Sequence, residues 1–279
     1  MDATRTIRSV PSIVRVVHPA PTIAVVALSG ALAAILRQQA GLAVPDLRVV
    51  LTVTAVFGSQ VFTGALNDWA DRHRDAIAQP SKPIASGRVH PRAALTLAMF
   101  GLMVQVAASI PLGGTAFLLG LVASGSAAAY NLWLSRTPWS VLPYLVSFGL
   151  LPAWVAAGVA VPLERVLAAC LLVGPFAAAA HLANTIRDFD VDEAVGSRNL
   201  AQTLGRRWGF RLAWALAMAV GLTVGIAFAA DGRLDPLVGV LGIIGLAAVI
   251  QGIASPTRLW AGMLVAAVAW TAGWAFGSG

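Results

Sequence analysis

The sequence predicts an all-α protein that crosses a membrane many times, and three observations support this fold class. Hydrophobic residues make up 58% of the chain and charged residues only 11%, with a mean hydropathy of +0.79. Apolar segments of about 20 residues, the length of a helix that crosses a bilayer core, recur along the whole chain. The charged residues concentrate between these segments. Such a composition excludes an ordinary soluble domain.

The apolar segments predict nine transmembrane helices, since helices satisfy their own backbone hydrogen bonds in lipid. In chain order, the predicted spans cover residues 19–36, 49–66, 93–112, 115–134, 140–160, 166–186, 209–230, 236–254 and 259–276. A secretory signal peptide is the competing interpretation of the first segment, but the recurrence of similar segments favours a membrane span. The single cysteine, Cys170, excludes an intramolecular disulfide.

The basic residues predict the orientation of the chain. With a cytoplasmic N-terminus, only four of the 19 Lys and Arg residues fall outside: Arg37, Arg48, Arg165 and Arg233. The other 15, which include Arg5 and Arg8, fall on the inner side. This segregation assigns the net charge of +7 to the positive-inside rule and a lipid bilayer, and not to nucleic acid. We expect an integral protein of the cell membrane with its N-terminus and active site at the cytoplasmic face.

Seven of the 12 acidic residues lie in two short segments, residues 67–75 and 184–193. Each segment contains an asparagine and two aspartates spaced by four residues: Asn67, Asp71 and Asp75, then Asn184, Asp188 and Asp192. Repeats in membrane proteins commonly place a site between two halves. We therefore expect one transmembrane domain, residues 1–279, made of pseudo-repeated halves at about 1–136 and 137–279.

A spacing of four residues places each set of three side chains on one helix face, within roughly 80°. Asp68 falls at the edge of the first stripe, whereas Asp190 and Glu193 point away from the second. Facing stripes of carboxylate and amide oxygens suit Mg²⁺, which binds a few carboxylates together with substrate phosphates. In the alternative interpretation, the acids only form ion pairs with Arg72, Arg74, Arg187 and Arg198.

The two motifs resemble the signatures of the UbiA superfamily of intramembrane prenyltransferases. The first reads Asn67-Asp68-x-x-Asp71-x-x-x-Asp75, followed by Lys82-Pro83-Ile84-Ala85-Ser86-Gly87. The second reads Asn184-x-x-x-Asp188-x-x-x-Asp192, followed by Gly196 and Asn199-Leu200-Ala201. The resemblance covers essentially the whole chain. It fails at Gln79, where many relatives carry a basic residue, and at Thr185, where many carry an acid.

The resemblance implies a ring of helices around a central cavity, where two Mg²⁺ ions bind the diphosphate of a prenyl donor. The C1–O bond of the donor then ionises, and an acceptor captures the allylic cation. The implied metal ligands are Asn67, Asp68, Asp71, Asp75, Asn184, Asp188 and Asp192. Four of these are also the implied catalytic residues: Asp71, Asp75, Asp188 and Asp192.

Three basic residues are candidates for binding the diphosphate: Lys82, Arg72 and Arg136. Each could instead be an ordinary loop charge beside anionic lipid. Tyr130 lies in a segment similar to the Tyr-containing segment of the family, and is expected to shield the allylic cation or to belong to the interfacial belt. His181, one turn before Asn184, is expected to be packed and hydrogen-bonded.

The leading functional hypothesis is prenyl transfer to a small aromatic acceptor, as in quinone, tocopherol or chlorophyll-type biosynthesis. A terpene cyclase of the same superfamily would use the metals without an acceptor. A third enzyme would prenylate a lipid precursor such as a glycerol phosphate or sugar phosphate. A cation transporter ranks last, because transporters usually bind near the bilayer midplane and both acidic segments run into polar loops.

Overall fold

A computed structural model describes residues 12–44, 46–230, 232 and 235–277. Arg5, Arg8 and Arg233 of the charge count lie outside the described residues. Within them the chain is helical. The α-helices are α1 (Ser12–Arg15), α2 (Pro19–Gln39), α3 (Leu47–Ala70), α4 (Arg72–Ala78), α5 (Pro91–Ser109), α6 (Gly114–Leu132), α7 (Leu142–Gly158), α8 (Leu167–Arg187), α9 (Phe189–Ala194), α10 (Leu200–Ala230), α11 (Pro236–Gln251) and α12 (Pro256–Gly277). Short 3₁₀ turns cover Ile110–Leu112, Leu134–Arg136, Leu163–Val166 and Gly252–Ala254.

Eight helices in the described residues are long and apolar enough to cross a membrane. A ninth apolar helix, α7, lies at the predicted fifth span but has only 17 residues. The other eight occupy the remaining predicted positions. The structure thus confirms an all-helical integral membrane protein, with eight full-length candidate spans and one shorter apolar helix in the described residues, where nine spans were predicted. The division into halves at residue 136 stays a prediction.

Local sequence explains where many of these helices begin. Four of them start at a proline, whose fixed φ and missing N–H suit the first helical position. Helix α3 instead starts after Asp46, whose carboxylate accepts a hydrogen bond from the backbone N–H of Arg48. The helix ends therefore carry signals independent of the apolar pattern.

Small residues let α3 and α5 pack backbone against backbone. A Cβ atom on Gly101 would lie 2.6 Å from the backbone nitrogen of Phe62, and one on Gly58 would lie 2.5 Å from that of Gln105. Close approach at small residues is how helices associate in lipid, where burial of apolar surface supplies little drive. This crossing holds α3, the helix that carries Asn67 and Asp68, in place.

Arginine side chains tie helix ends together at one end of the bundle. Arg37 is buried and donates to the backbone carbonyl of Val159 at 3.2 Å and to Asp46 at 2.9 Å. Arg48 donates to the carbonyls of Gly158 at 2.9 Å and Leu112 at 2.7 Å. Carbonyls at a helix C-terminus have no partner within the helix. These arginines therefore satisfy carbonyls at the end of α7 and at the end of the 3₁₀ turn that follows α5.

We predict that Gly101→Ala destabilises the folded protein by about 1–3 kcal/mol, because the added methyl group forces α3 and α5 apart. Thermal unfolding in detergent measures the effect. The matched control is Gly125→Ala on α6, where nothing lies within 4 Å of the new Cβ. If both variants melted alike, the close α3–α5 crossing would be wrong.

Candidate active site

In each acidic motif, a long helix ends just before the central aspartate and a short helix begins just after it. Helix α3 ends at Ala70 and α4 begins at Arg72, and α8 ends at Arg187 and α9 begins at Phe189. The aspartate at each break has nearly the same backbone conformation, with φ −85° and ψ 2° at Asp71 and φ −96° and ψ 15° at Asp188. Each set of three residues, which the sequence analysis placed on one helix face, is therefore divided between a spanning helix and the short helix that follows it.

The four-residue register of each motif survives its break. The N–H of Asp71 donates to the carbonyl of Asn67 at 2.9 Å, and that of Asp75 to Asp71 at 2.8 Å. The equivalent bonds in the second motif, from Asp188 to Asn184 and from Asp192 to Asp188, are 3.2 and 3.0 Å long. Each stripe thus stays aligned across two helices.

Lys82 joins two carboxylates of the first motif. Its Nζ lies 3.0 Å from Oδ1 of Asp68 and 2.9 Å from Oδ2 of Asp75, and both aspartates are only 2% exposed. His18 Nε2 contacts Asp68 Oδ1 at 3.1 Å. Sequence reasoning missed His18, because it lies 50 residues from Asp68 and no local pattern connects them.

Asp71 belongs to a second group of polar contacts. Arg136 Nη2 donates to its Oδ1 at 3.1 Å, and the Asn67 amide lies 3.4 Å from its Oδ2. Asn67 also donates to Asn131 Oδ1 at 3.1 Å, and Asn131 in turn donates to the carbonyl of Thr63 at 2.9 Å. Asn131 follows Tyr130 in the segment that is similar to the Tyr-containing segment of the family. That position was the only feature of the sequence that pointed to Asn131 as a site residue.

Arg74 brings the two motifs together. Its guanidinium, next to Asp75 in the chain, lies 3.4 Å from Oδ1 of Asp192 in the second motif. Asn199 donates to the other oxygen of Asp192 at 2.9 Å. Asp192 is buried, and Asp188 is half-exposed beside Arg187 at 3.3 Å. The predicted stripes therefore meet across Arg74, which the sequence offered only as an ion-pair candidate.

The remaining acidic and basic candidates lie apart from this cluster. Asp190 and Glu193 are exposed, as the helical geometry predicted, and Asp190 pairs with Arg206. Arg72 folds back on α3, where it donates to the carbonyl of Trp69 at 2.6 Å and lies 4.6 Å above that ring. Its side chain does not join the carboxylates. Asn184 is half-buried on the second stripe.

Burial and charge shift the pKa values of three groups in the loop segments. Burial raises the pKa of Asp75, and the neighbouring carboxylates add to the rise, although Lys82 opposes it. Burial likewise raises the pKa of Asp192 against the opposing effect of Arg74. For Lys82, burial alone would lower the pKa, but Asp68 and Asp75 outweigh it and raise the pKa. Lys82 therefore holds its proton more firmly than a free lysine, beside carboxylates whose charged form burial disfavours.

Tyr130 lies in an aromatic cluster formed by α6, α7 and α8. Its ring contacts Tyr144 edge-on at 5.2 Å and His181 at 5.4 Å, and Tyr144 stacks on His181 at 4.2 Å and on Phe148 at 6.0 Å. Tyr130 is half-buried, and its ring packs on rings from the two neighbouring helices. His181 is packed as expected, but within the part of the chain that the structure describes its buried Nε2 has no hydrogen-bond partner.

The oxygen donors of the two motifs fit Mg²⁺ by their chemistry. Among the described residues, no three His, Cys, Asp or Glu side chains are arranged to hold a metal ion, and the carboxylates face basic groups instead. However, no described residue hydrogen-bonds the buried Asp75 Oδ1, and Mg²⁺ takes only a few carboxylates when a substrate supplies phosphate oxygens. The donor set is therefore compatible with the ion together with a phosphate ligand.

Several known proteins are similar to this chain. A digeranylgeranylglyceryl phosphate synthase of Korarchaeum cryptofilum is 36% identical over 151 residues, which cover 50% of this chain and 50% of the relative. The bacteriochlorophyll synthase 33 kDa chain of Rhodobacter capsulatus is 30% identical over 175 residues, which cover 57% and 55%. In both alignments, this chain spans about half the length of the relative.

The fold is also known from solved structures. A UbiA homologue from Archaeoglobus fulgidus, bound to GPP and Mg²⁺, superimposes with a TM-score of 0.66 over 96% of this chain and 100% of that chain, at 16% identity. The model of the UbiA prenyltransferase family matches residues 23–258. With both motifs at one end of the bundle and a family match over most of its length, the chain belongs to the UbiA prenyltransferase family.

Proposed function

We propose that this protein transfers a prenyl group from a prenyl diphosphate to a small acceptor. The observation that carries the proposal is the meeting of both acidic motifs across the 3.4 Å contact between Arg74 and Asp192. This meeting gathers buried carboxylates and basic groups at one end of an apolar bundle. A prenyl diphosphate needs both environments, the charged cluster for its diphosphate and the apolar bundle for its prenyl chain. The A. fulgidus homologue, which shares the fold, was solved with GPP and Mg²⁺.

The basic side chains of the cluster would bind the diphosphate. Lys82, Arg74 and Arg136 each neutralise a buried carboxylate in the structure, so each is already held at the head-group end of the site. Positioned positive charges stabilise a departing diphosphate because they need not reorganise during the reaction. Arg72 is left out of this set because Trp69 engages its guanidinium.

Both motifs would supply the ligands of two Mg²⁺ ions, which neutralise phosphate charge when bound. These ligands are Asn67, Asp68, Asp71, Asp75, Asn184, Asp188 and Asp192. Tyr130 would face the reacting carbon with its ring, since the aromatic cluster fixes its orientation and an aromatic face attracts a cation.

A small aromatic acceptor is the substrate class that the aromatic cluster favours, because Tyr130, Tyr144 and Phe148 offer it ring surfaces. A glycerol phosphate lipid is the second candidate, since the K. cryptofilum relative is a digeranylgeranylglyceryl phosphate synthase. Incubation with Mg²⁺, a prenyl diphosphate and both acceptor types separates the two. Hydrocarbon products without any acceptor would instead indicate a cyclase.

We predict that Asp71→Asn and Asp188→Asn each reduce turnover by about 10²-fold or more, because the diphosphate loses metal-borne charge compensation. Asp190→Asn, off the stripe and exposed, should leave turnover nearly unchanged. An independent measurement is the melting temperature, which should rise in the wild type when Mg²⁺ and a prenyl diphosphate are added together. Both aspartate variants keeping that shift and full turnover would leave only the ion-pair interpretation.

We predict that Lys82→Ala weakens donor binding and that Lys82→Arg retains part of it, since arginine keeps the charge but not the compact ammonium group. The affinity is measured from the rise of melting temperature with donor concentration. The control is Arg88→Ala in the same loop, whose side chain bonds Ser86 and Ser81 and no carboxylate. Equal donor affinity in all three variants and the wild type would remove Lys82 from the site.

We propose that the motifs face the cytoplasm and that the protein lies in the cell membrane. In a Cys170→Ala background, Thr115→Cys at the opposite end should react with an impermeant maleimide in intact cells. Ser81→Cys, beside the first motif, should react only after permeabilisation. Both positions are exposed, so the reverse labelling pattern would invert the orientation.

A further inference from the structure

A cavity of about 620 Å³ opens beside the second motif and takes no part in the ion pairs of the site. Three arginines line it together with apolar side chains: Arg206, Arg207, Arg211, Phe210, Trp214 and Ile253. We refer to it as the arginine cavity. It lies between α10 and the turn that joins α11 to α12, at the motif end of the bundle.

The arginine cavity lies at the boundary of the membrane. Gly205 has φ 76° and ψ 157° and interrupts α10, so the longer part of this helix starts at Arg206. Its first N–H groups have no helical acceptor and add positive potential beside the arginines. Two tryptophans nearby stack with guanidiniums, Trp208 under Arg211 at 5.0 Å and Trp260 under Arg187 at 5.2 Å. Tryptophan is typical of the head-group level of a bilayer.

The cavity carries more positive charge than its neighbours neutralise. Arg206 pairs with Asp190, and that contact is exposed. Arg207 and Arg211 are exposed as well, and in the described part of the chain neither forms a salt bridge. An ordinary positive-inside loop would spread such charges over a convex surface. Here they converge on a concavity, which favours an anion with several oxygens.

The rest of the cavity lining is apolar. Phe210 and Ile253 face the cavity, and Trp214 is locked by a hydrogen bond of 3.0 Å from its Nε1 to the carbonyl of Val249. Guanidiniums beside an apolar lining match a molecule with a phosphate head and an acyl tail. Basic pockets between transmembrane helices on the cytoplasmic side bind anionic head groups in this way.

We propose that the arginine cavity binds the head group of an anionic phospholipid from the surrounding bilayer. This site is separate from the proposed diphosphate site, whose basic residues are Lys82, Arg74 and Arg136, and it does not depend on the proposed function. It does touch the second motif, because Arg206 holds Asp190 on α9, two residues before Asp192. A lipid phosphate in the cavity therefore competes with Asp190 for Arg206.

Lipid-dependent melting of the purified protein in detergent tests the proposal. Short-chain phosphatidylglycerol should raise the melting temperature saturably, whereas short-chain phosphatidylcholine should not, because a ligand that binds only the folded state stabilises it. Arg207→Gln combined with Arg211→Gln should weaken the apparent affinity about tenfold or more. The variant with Arg207→Lys and Arg211→Lys should have an affinity between those of the wild type and the glutamine pair. Lysine keeps the charge but lacks the paired N–H donors of the guanidinium. The matched control, Arg88→Gln with Arg92→Gln, removes two other exposed arginines from the same end and should bind like the wild type.

Three results would overturn the proposal. Equal shifts with both lipids would indicate general solvation by lipid. A saturable shift with inorganic phosphate at similar concentrations would indicate a site for free phosphate. Wild-type affinity in the glutamine pair, with an unchanged melting temperature without lipid, would place any lipid site elsewhere.

Discussion

The carboxylates buried at one end of the apolar bundle need positive charges beside them, and the rest of the site depends on this constraint. A carboxylate taken out of water costs several kcal/mol unless a cation accompanies it. Lys82 meets this requirement for Asp68 and Asp75 at once, and Arg74 meets it for Asp192. The same need for positive charge makes the carboxylates suited to metal ions once a phosphate ligand arrives. The ion pairs and the proposed chemistry are therefore two consequences of one electrostatic problem.

The two motifs place their carboxylates in the same way about the two helix breaks. In each motif a membrane-spanning helix presents the asparagine, and a short helix beyond the break presents the last aspartate. The chain thus keeps the four-residue register of backbone hydrogen bonds across each break. Arg74 on α4 can then reach Asp192 on α9, because both short helices lie at the same end of the bundle.

Arginine serves different purposes at the two ends of the bundle. At the end opposite the motifs, Arg37 and Arg48 donate mainly to backbone carbonyls and close the ends of helices. These are two of the four residues that the charge pattern placed outside. At the motif end, guanidiniums meet carboxylates, tryptophan rings or the open arginine cavity. These two exceptions to the charge rule thus have a structural explanation in unsatisfied helix ends.

By itself, the sequence determined the all-helical membrane fold and the positions of the apolar helices, because these follow from hydrophobic length. It also contains the two aspartate motifs with their four-residue spacing. It did not reveal the breaks at Asp71 and Asp188, since a four-residue spacing is identical in a continuous helix and in one that turns. Only the tertiary structure decided which basic side chain pairs with which aspartate. His18 reaches Asp68, Arg74 reaches Asp192 and Arg72 turns away to Trp69, because these pairings depend on how distant helices pack and not on any local pattern.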